Sequence, residues 1–258
     1  MGSALIKGWM GAKTFSAIHI VEPAPSTALK SLARKRAITL HASLPAVLPP
    51  VAAVVLAIKP QVLKGEDKLL RTLGNTGGLV LSIAAGVGTG LLRQKLARSG
   101  PLVRAMPNTP GAIGRGITVL CAGGKLSASD RTLAEDLMAA LGETLWLDDE
   151  RLMDAVTAVS GSGPAYVFLT VEALAAAGRA QGLDAPTAER LARATVSGAG
   201  ALLGADPRPA SDLRKEVTSP GGTTEAALNV LMASEGLESL MRRAVDAATR
   251  RGRDLGKT

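Results

Sequence analysis

One cysteine, Cys121, stands among 258 residues. It leaves no partner for an internal disulfide and rules out any multi-cysteine metal site. Only two histidines, His19 and His41, are available as imidazole bases or ligands, so no metal site is expected. Aromatic residues make up 2% of the chain, too few for a surface that binds nucleic acid by stacking on bases. The basic residues are spread out, apart from Arg34 to Arg36 and a tail near Arg250 to Arg253. The excess of 30 Lys and Arg over 22 Asp and Glu is therefore read as solvated helix faces, with no nucleic-acid partner. No run approaches about 18 consecutive apolar residues, and the N-terminus lacks the basic, apolar, small-residue order of a signal peptide. A cytoplasmic protein without a membrane partner is expected. Internal repeats and low-complexity linkers are also lacking.

What is present is ample apolar material, 47% of the chain, enough for one large or two modest domains. Up to residue 147, short β-rich runs alternate with helical patterns: Ala17 to Val21, Ala53 to Ile58, Leu79 to Ile83, Leu102 to Ala105, Ile117 to Cys121 and Thr144 to Leu147. This alternation predicts a parallel sheet covered by helices. Val51 to Ile58 is apolar at almost every position, as for a strand buried on both faces, and it ends at Lys59-Pro60. A ligand crevice is expected at such strand ends. After Asp148 the spacing turns helical: Leu152, Val156 and Val159 share a face, as do Leu191 to Leu203 and Leu237 to Ala248. The expected division is 1–147, α/β, and 148–258, all-helical. Pro207 to Pro209 reads as a loop. A helix over Pro164 to Gln181 is apolar nearly all round and needs neighbours on every side, which favours a homodimer.

The opening residues, Met1 to Gly8, look like the end of a glycine-rich turn running into a helix, with Gly2 as a late glycine of a dinucleotide-binding turn. The strand that normally precedes such a turn is not seen. Glu22 ends the next strand about 20 residues after Gly2, where an acid accepts bonds from adenosine ribose hydroxyls and repels a 2′-phosphate. The spacing tilts the choice from NADPH towards NADH. Taken alone, a glycine that starts a helix and an acid that closes a loop would look the same.

Four segments are more specific: MGSALIKGW at 1–9, VVLAIKPQ at 54–61, VRAMPNTP at 103–110, and VSGSGPAYVF at 159–168 followed by LRKEVTSPGGTTEAAL at 213–228. In order and spacing the chain resembles the pyrroline-5-carboxylate reductase family over essentially its whole length. The resemblance implies a Rossmann-type N-terminal domain, here with its first strand absent, and an all-α dimerisation domain. It also implies hydride transfer from NADH or NADPH to C5 of 1-pyrroline-5-carboxylate, giving L-proline as the last step of proline biosynthesis. By the same resemblance the cofactor lies against Met1, Gly2, the turn Ala57-Ile58-Lys59-Pro60 and the turn Met106-Pro107-Asn108; Glu22 joins them on its spacing alone. Substrate binding falls to Ser219, Pro220, Gly221, Gly222, Thr223 and Thr224.

These residue types suit the chemistry. Glycines permit close backbone approach, and a helix starting near Thr223 aims free amides at an anion. The substrate carboxylate is thus expected on Ser219, Gly222 and Thr223. The catalytic candidates are Thr224, whose hydroxyl the resemblance puts near the ring nitrogen, and Lys59, which lends positive charge. Catalysis mainly by positioning needs neither a carboxylate pair nor a histidine. Ser160 to Ala165 reads either as helix capping with tight packing or as a wall of the site. Two rival readings share parts of the pattern. A β-hydroxyacid-type dehydrogenase is expected to need a lysine in its helical domain, where this chain has only Lys215 and Lys257. A non-catalytic remnant of the family would bind or assemble without turnover.

Overall fold

The computed structural model describes residues 1–12, 15–34 and 38–257. Of the basic cluster at 34–36, only Arg34 lies within them. The chain forms two compact units, residues 1–161 together with 249–258, and residues 162–248.

The first unit is a Rossmann-like α/β layer structure. Its helices are α1 (Gly2–Ala12), α2 (Thr27–Arg34), α3 (Pro60–Gly65), α4 (Asp67–Gly74), α5 (Thr89–Leu96), α6 (Ala128–Ala139) and the short α7 (Met153–Val156). Its strands are β1 (Ile18–Val21), β2 (Ile38–His41), β3 (Ala53–Leu56), β4 (Leu79–Ser82), β5 (Leu102–Met106), β6 (Gly116–Ala122) and β7 (Gly142–Leu147). Five of them form one sheet in the order β3-β4-β5-β6-β7. Every residue of β4 is buried, as the apolar run Leu79 to Leu81 requires, and Ser82 is buried with them. Alternate side chains serve two cores. Leu79 and Leu81 join Leu5, Trp9 and Leu137 of α1 and α6 on one face; Val80 joins Leu63, Leu70 and Leu92 of α3, α4 and α5 on the other.

The sheet is mixed, not all-parallel as the strand-helix alternation predicts: β6 runs antiparallel to β5, with Arg104 opposite Cys121. The reason is the connection. Only residues 107–115 separate the strands, carrying a single 3₁₀ turn, Thr109–Ile113. A parallel crossover needs a dozen residues or more. The strand β2 has no counterpart in the sequence reading; it pairs in parallel with β1 to form a separate two-stranded sheet. Among the described residues no strand joins β1 to β3. Both nevertheless pack on the same core, through Ile18 and Ile20 from one and Ala53 and Val55 from the other.

Strands end at Leu147, but the first unit continues to Gly161. Its last stretch is fastened by Met153, fully buried against Val119 and Cys121 of β6. The expected helical run through Leu152, Val156 and Val159 is broken into a 3₁₀ turn at Glu150–Leu152, α7, and a π turn over Thr157–Gly161.

The second unit is helical: α8 (Gly163–Ala180), α9 (Ala185–Ala205), α10 (Ala210–Glu216), α11 (Thr223–Leu231) and α12 (Leu237–Lys257), whose residues from 249 onward belong to the first unit. Small residues let α8 and α9 close up: Ala175, Ala188 and Ala192 are buried, and a Cβ on Gly178 would lie 3.5 Å from that of Ala188. Asp184 caps α9 by accepting the Thr187 N–H. Phe168 and Val230 are 62% and 74% exposed.

Candidate functional site

In the first unit the sequence-predicted cofactor residues gather at the carboxyl ends of the strands and the start of α1. A Cβ placed on Gly2 would lie 3.4 Å from that of Ala57, so the opening of α1 adjoins the turn that leaves β3. The carbonyl of Met1 accepts the N–H groups of Ala4 and Leu5. The amides of Gly2 and Ser3 lie ahead of the helix's own ladder, where they suit an anion. A dinucleotide's pyrophosphate fits this arrangement. In the turn after β3, Ala57 and Lys59 are exposed and Ile58 and Pro60 half-buried. Lys59 is the extended N-cap of α3 and makes no side-chain cap bond; its carbonyl accepts Leu63 N–H at 3.0 Å.

Glu22 follows β1, and its N–H donates to the His41 carbonyl at 3.0 Å. Its carboxylate accepts the Ala24 N–H at 3.0 Å, which fixes the acid at the strand end. At the end of β5, Pro107 is buried and Met106 and Asn108 half-buried. The Asn108 side-chain oxygen accepts the Ile117 N–H at 3.0 Å. That bond ties the turn to β6 and leaves the amide nitrogen as the end suited to a ligand.

The turn after β5 also meets a second motif. A Cβ on Gly161 would lie 2.7 Å from the terminal methyl of Met106, so the Ser160-Gly161 segment lies directly against Met106. Of the alternative of capping and tight packing for this segment, the packing against Met106 is present and the side-chain cap is not. Ser162 makes no side-chain cap bond, Ser160 donates instead to the Val156 carbonyl at 2.9 Å, and Pro164 is the second helical residue.

Two residues were missed in the sequence, Arg104 and Glu150. Arg104 is a buried charge on β5 whose guanidinium donates to Glu150 at 3.1 Å. The signal was there: a lone cation in an otherwise apolar strand. Beside it, burial pushes the Cys121 thiol above its usual range, and the charge of Glu150 adds to this.

In the second unit Ser219 to Gly222 form a turn with Gly221 at φ +71°, a backbone angle that favours glycine. The turn enters α11 at Thr223, as predicted. Its amides are not all available. The Gly222 N–H donates to the Ser219 carbonyl at 3.0 Å, and the Gly221 N–H donates to the Glu225 carboxylate at 2.7 Å. Ala226 is the first residue to bond back, to the Gly222 carbonyl. The helix-start amides that precede the helix's own ladder are therefore those of Thr223, Thr224 and Glu225. Ser219, Pro220 and Thr223 are exposed, and Gly222 and Thr224 half-buried. Among the described residues no group of three or more His, Cys, Asp or Glu side chains is arranged to hold a metal.

Comparison with known proteins bears on this arrangement. Residues 150–255 match the family model for pyrroline-5-carboxylate reductase dimerisation. A pyrroline-5-carboxylate reductase of Pseudomonas aeruginosa is 44% identical over 205 residues, 79% of this chain and 74% of that protein. The chain belongs to the pyrroline-5-carboxylate reductase family. Within the family, the structure of the Coxiella burnetii reductase superposes with a TM-score of 0.88 at 34% identity, over 100% of this chain and 95% of that one. The Plasmodium falciparum enzyme, crystallised with NADP bound, gives 0.77 at 27% identity, over 99% and 96%. The family is one of oxidoreductases of proline biosynthesis. The rival β-hydroxyacid-type dehydrogenase is set aside on these matches. No described helix is long and apolar enough to cross a membrane.

Proposed function

We propose that the chain reduces 1-pyrroline-5-carboxylate to L-proline. A bound NADH or NADPH supplies the hydride that C5 of the cyclic imine receives. The protein's own work is to bind, orient and balance charge. In the first unit Gly2 and Ala57 to Pro60 form the bed for the pyrophosphate side, Glu22 meets the adenosine ribose, and Met106 to Asn108 face the nicotinamide. Lys59 adds positive charge there. In the second unit the amides of Thr223 and Thr224, with the Ser219 hydroxyl, take the substrate carboxylate. The Thr224 hydroxyl holds the ring nitrogen, which carries the proton that makes the imine an acceptor. Glu22 favours NADH, since a 2′-phosphate beside its carboxylate is repelled.

The observation that carries this reading is the Ser219-to-Thr224 turn opening α11 with amides unspent, in a chain with the family's motifs in order. Initial rates of NADH and NADPH oxidation with pyrroline-5-carboxylate test it. Proline formation with both, faster with NADH, is expected; no proline from a folded, cofactor-binding protein would sink the reaction. A second reading, a family member that binds without turnover, has one observation in its favour: among the described residues no strand pairs with the outer edges of β1 and β3. It predicts that cofactor binding is too weak to saturate.

A further inference from the structure

Arg104 is the one charged residue among the buried, described side chains, with only 7% of its side chain exposed. It stands on β5 two residues before Met106, opposite Ser82 of β4 and Cys121 of β6. Its guanidinium donates to Oε1 of Glu150 at 3.1 Å, and the same oxygen accepts the Thr89 N–H at 2.8 Å. The other carboxylate oxygen accepts the Thr89 hydroxyl. Thr89 is the first residue of α5, so this carboxylate fills the anion position at that helix start. One acid thus joins three stretches of chain: the end of β5, the first turn of α5 and the segment that runs on to Gly161.

Stability does not account for such a pair. Withdrawing a guanidinium from water is costly, and an apolar side chain of similar volume often serves a core as well or better. What the pair achieves is placement. Met106 is held from below by the strand that Arg104 anchors. From the side it is held by Gly161, at the end of the segment that Glu150 anchors, where the missing Cβ lets the Met106 methyl in.

We propose that Arg104 and Glu150 are positioning residues, whose buried ion pair sets the height of the Met106-Pro107-Asn108 turn and through it the nicotinamide ring. This rests on the cofactor reading of that turn. Neither residue need touch the cofactor.

The test is the double variant Arg104→Met/Glu150→Gln. The glutamine's carbonyl accepts the Thr89 N–H and its NH₂ donates to the Thr89 hydroxyl, so every polar group keeps a partner and the fold should stand. The expected result is a thermal midpoint within about 4 °C of the parent and a kcat lowered about tenfold or more, while KM for the imine changes less than about twofold. A merely structural pair predicts unchanged kcat at an unchanged midpoint, and that result would overturn the proposal. Should the double variant not fold, Arg104→Lys keeps the charge but loses the planar fork. It should give an intermediate kcat, and parental kcat would again overturn the idea. The dissociation constant of NADH separates this proposal from the function it rests on. A parent that binds NADH but makes no proline sinks the reaction alone, and positioning is then read in an NADH dissociation constant raised about threefold or more in the double variant. An unchanged constant in that case counts against positioning.

Discussion

Thr224 is a helix-start hydroxyl whose proposed task, holding the ring nitrogen, is separable from the amides that bind the carboxylate. Thr224→Val keeps shape and backbone but removes the hydroxyl. It should lower kcat by about 10- to 100-fold with little effect on KM, and Thr224→Ser should recover most of the rate; steady-state kinetics checks both. Thr118 poses the opposite case. Its hydroxyl is fully buried on β6 and has no hydrogen-bond partner among the described residues. Thr118→Val removes an unsatisfied polar atom without changing volume, so a gain of about 1 kcal/mol is expected in urea unfolding. Cys121 links stability to pH. Its thiol is raised by burial first, then by Glu150. Above about pH 8.5 the thiol of the unfolded chain ionises while the native one keeps its proton. The unfolded state then binds fewer protons, so stability present below that pH is lost as pH rises towards the raised native value. Between about pH 8 and pH 10 the thermal midpoint of the parent should fall more steeply than that of Cys121→Ala.

At the scale of elements, close approaches carry the architecture. A Cβ on Gly74, at the end of α4, would lie within 2 Å of the Leu96 carbonyl, at 1.9 Å, and a backbone atom cannot swing aside. Gly74→Ala should therefore cost about 3 kcal/mol, read as a drop in the denaturation midpoint. None of this was visible in the sequence, where Gly74 is one glycine among 29. Other elements were legible. The six expected strands all form, because an apolar run such as Leu79 to Leu81 between turn signals has few alternatives to a doubly covered strand. The direction of β6 was missed because patterning fixes which faces are apolar and says nothing of heading; the length of the connection decides that. β2 was missed because four residues, Ile-Thr-Leu-His, carry too little period. The Ser219-to-Thr224 turn was legible as a loop-to-helix start, whereas the diversion of the Gly221 and Gly222 amides to Glu225 and Ser219 was not. Such bonds depend on rotamers and turn geometry, not on residue type alone. Glu150 was hidden for a related reason, since its partners lie 46 and 61 positions away.

For the whole molecule, the second unit leaves a large apolar surface. Phe168, Leu169, Leu191, Val230 and Met232 are all exposed in the single chain, far more than solitary surface residues account for. The family model matched by this region is a dimerisation model, and a homodimer that covers these helices is the expected state. Phe168→Glu should shift the light-scattering mass from dimer towards monomer, while a dimer that survives would place the interface elsewhere. The division of the sheet acts on the same scale. Among the described residues β1 and β2 are joined to the other strands through shared side-chain packing and no backbone ladder. With no ladder to hold them to those strands, they are expected to open before the strands beside them. In deuterium exchange the amides of Ile18 to Val21 should label together, long before those of Val80 to Ser82. Glu22 follows β1, so nucleotide addition should slow labelling there first. The adenosine end of the cofactor would then be gripped by a part that must settle as it binds, while the end proposed to face Met106 would meet a surface already set.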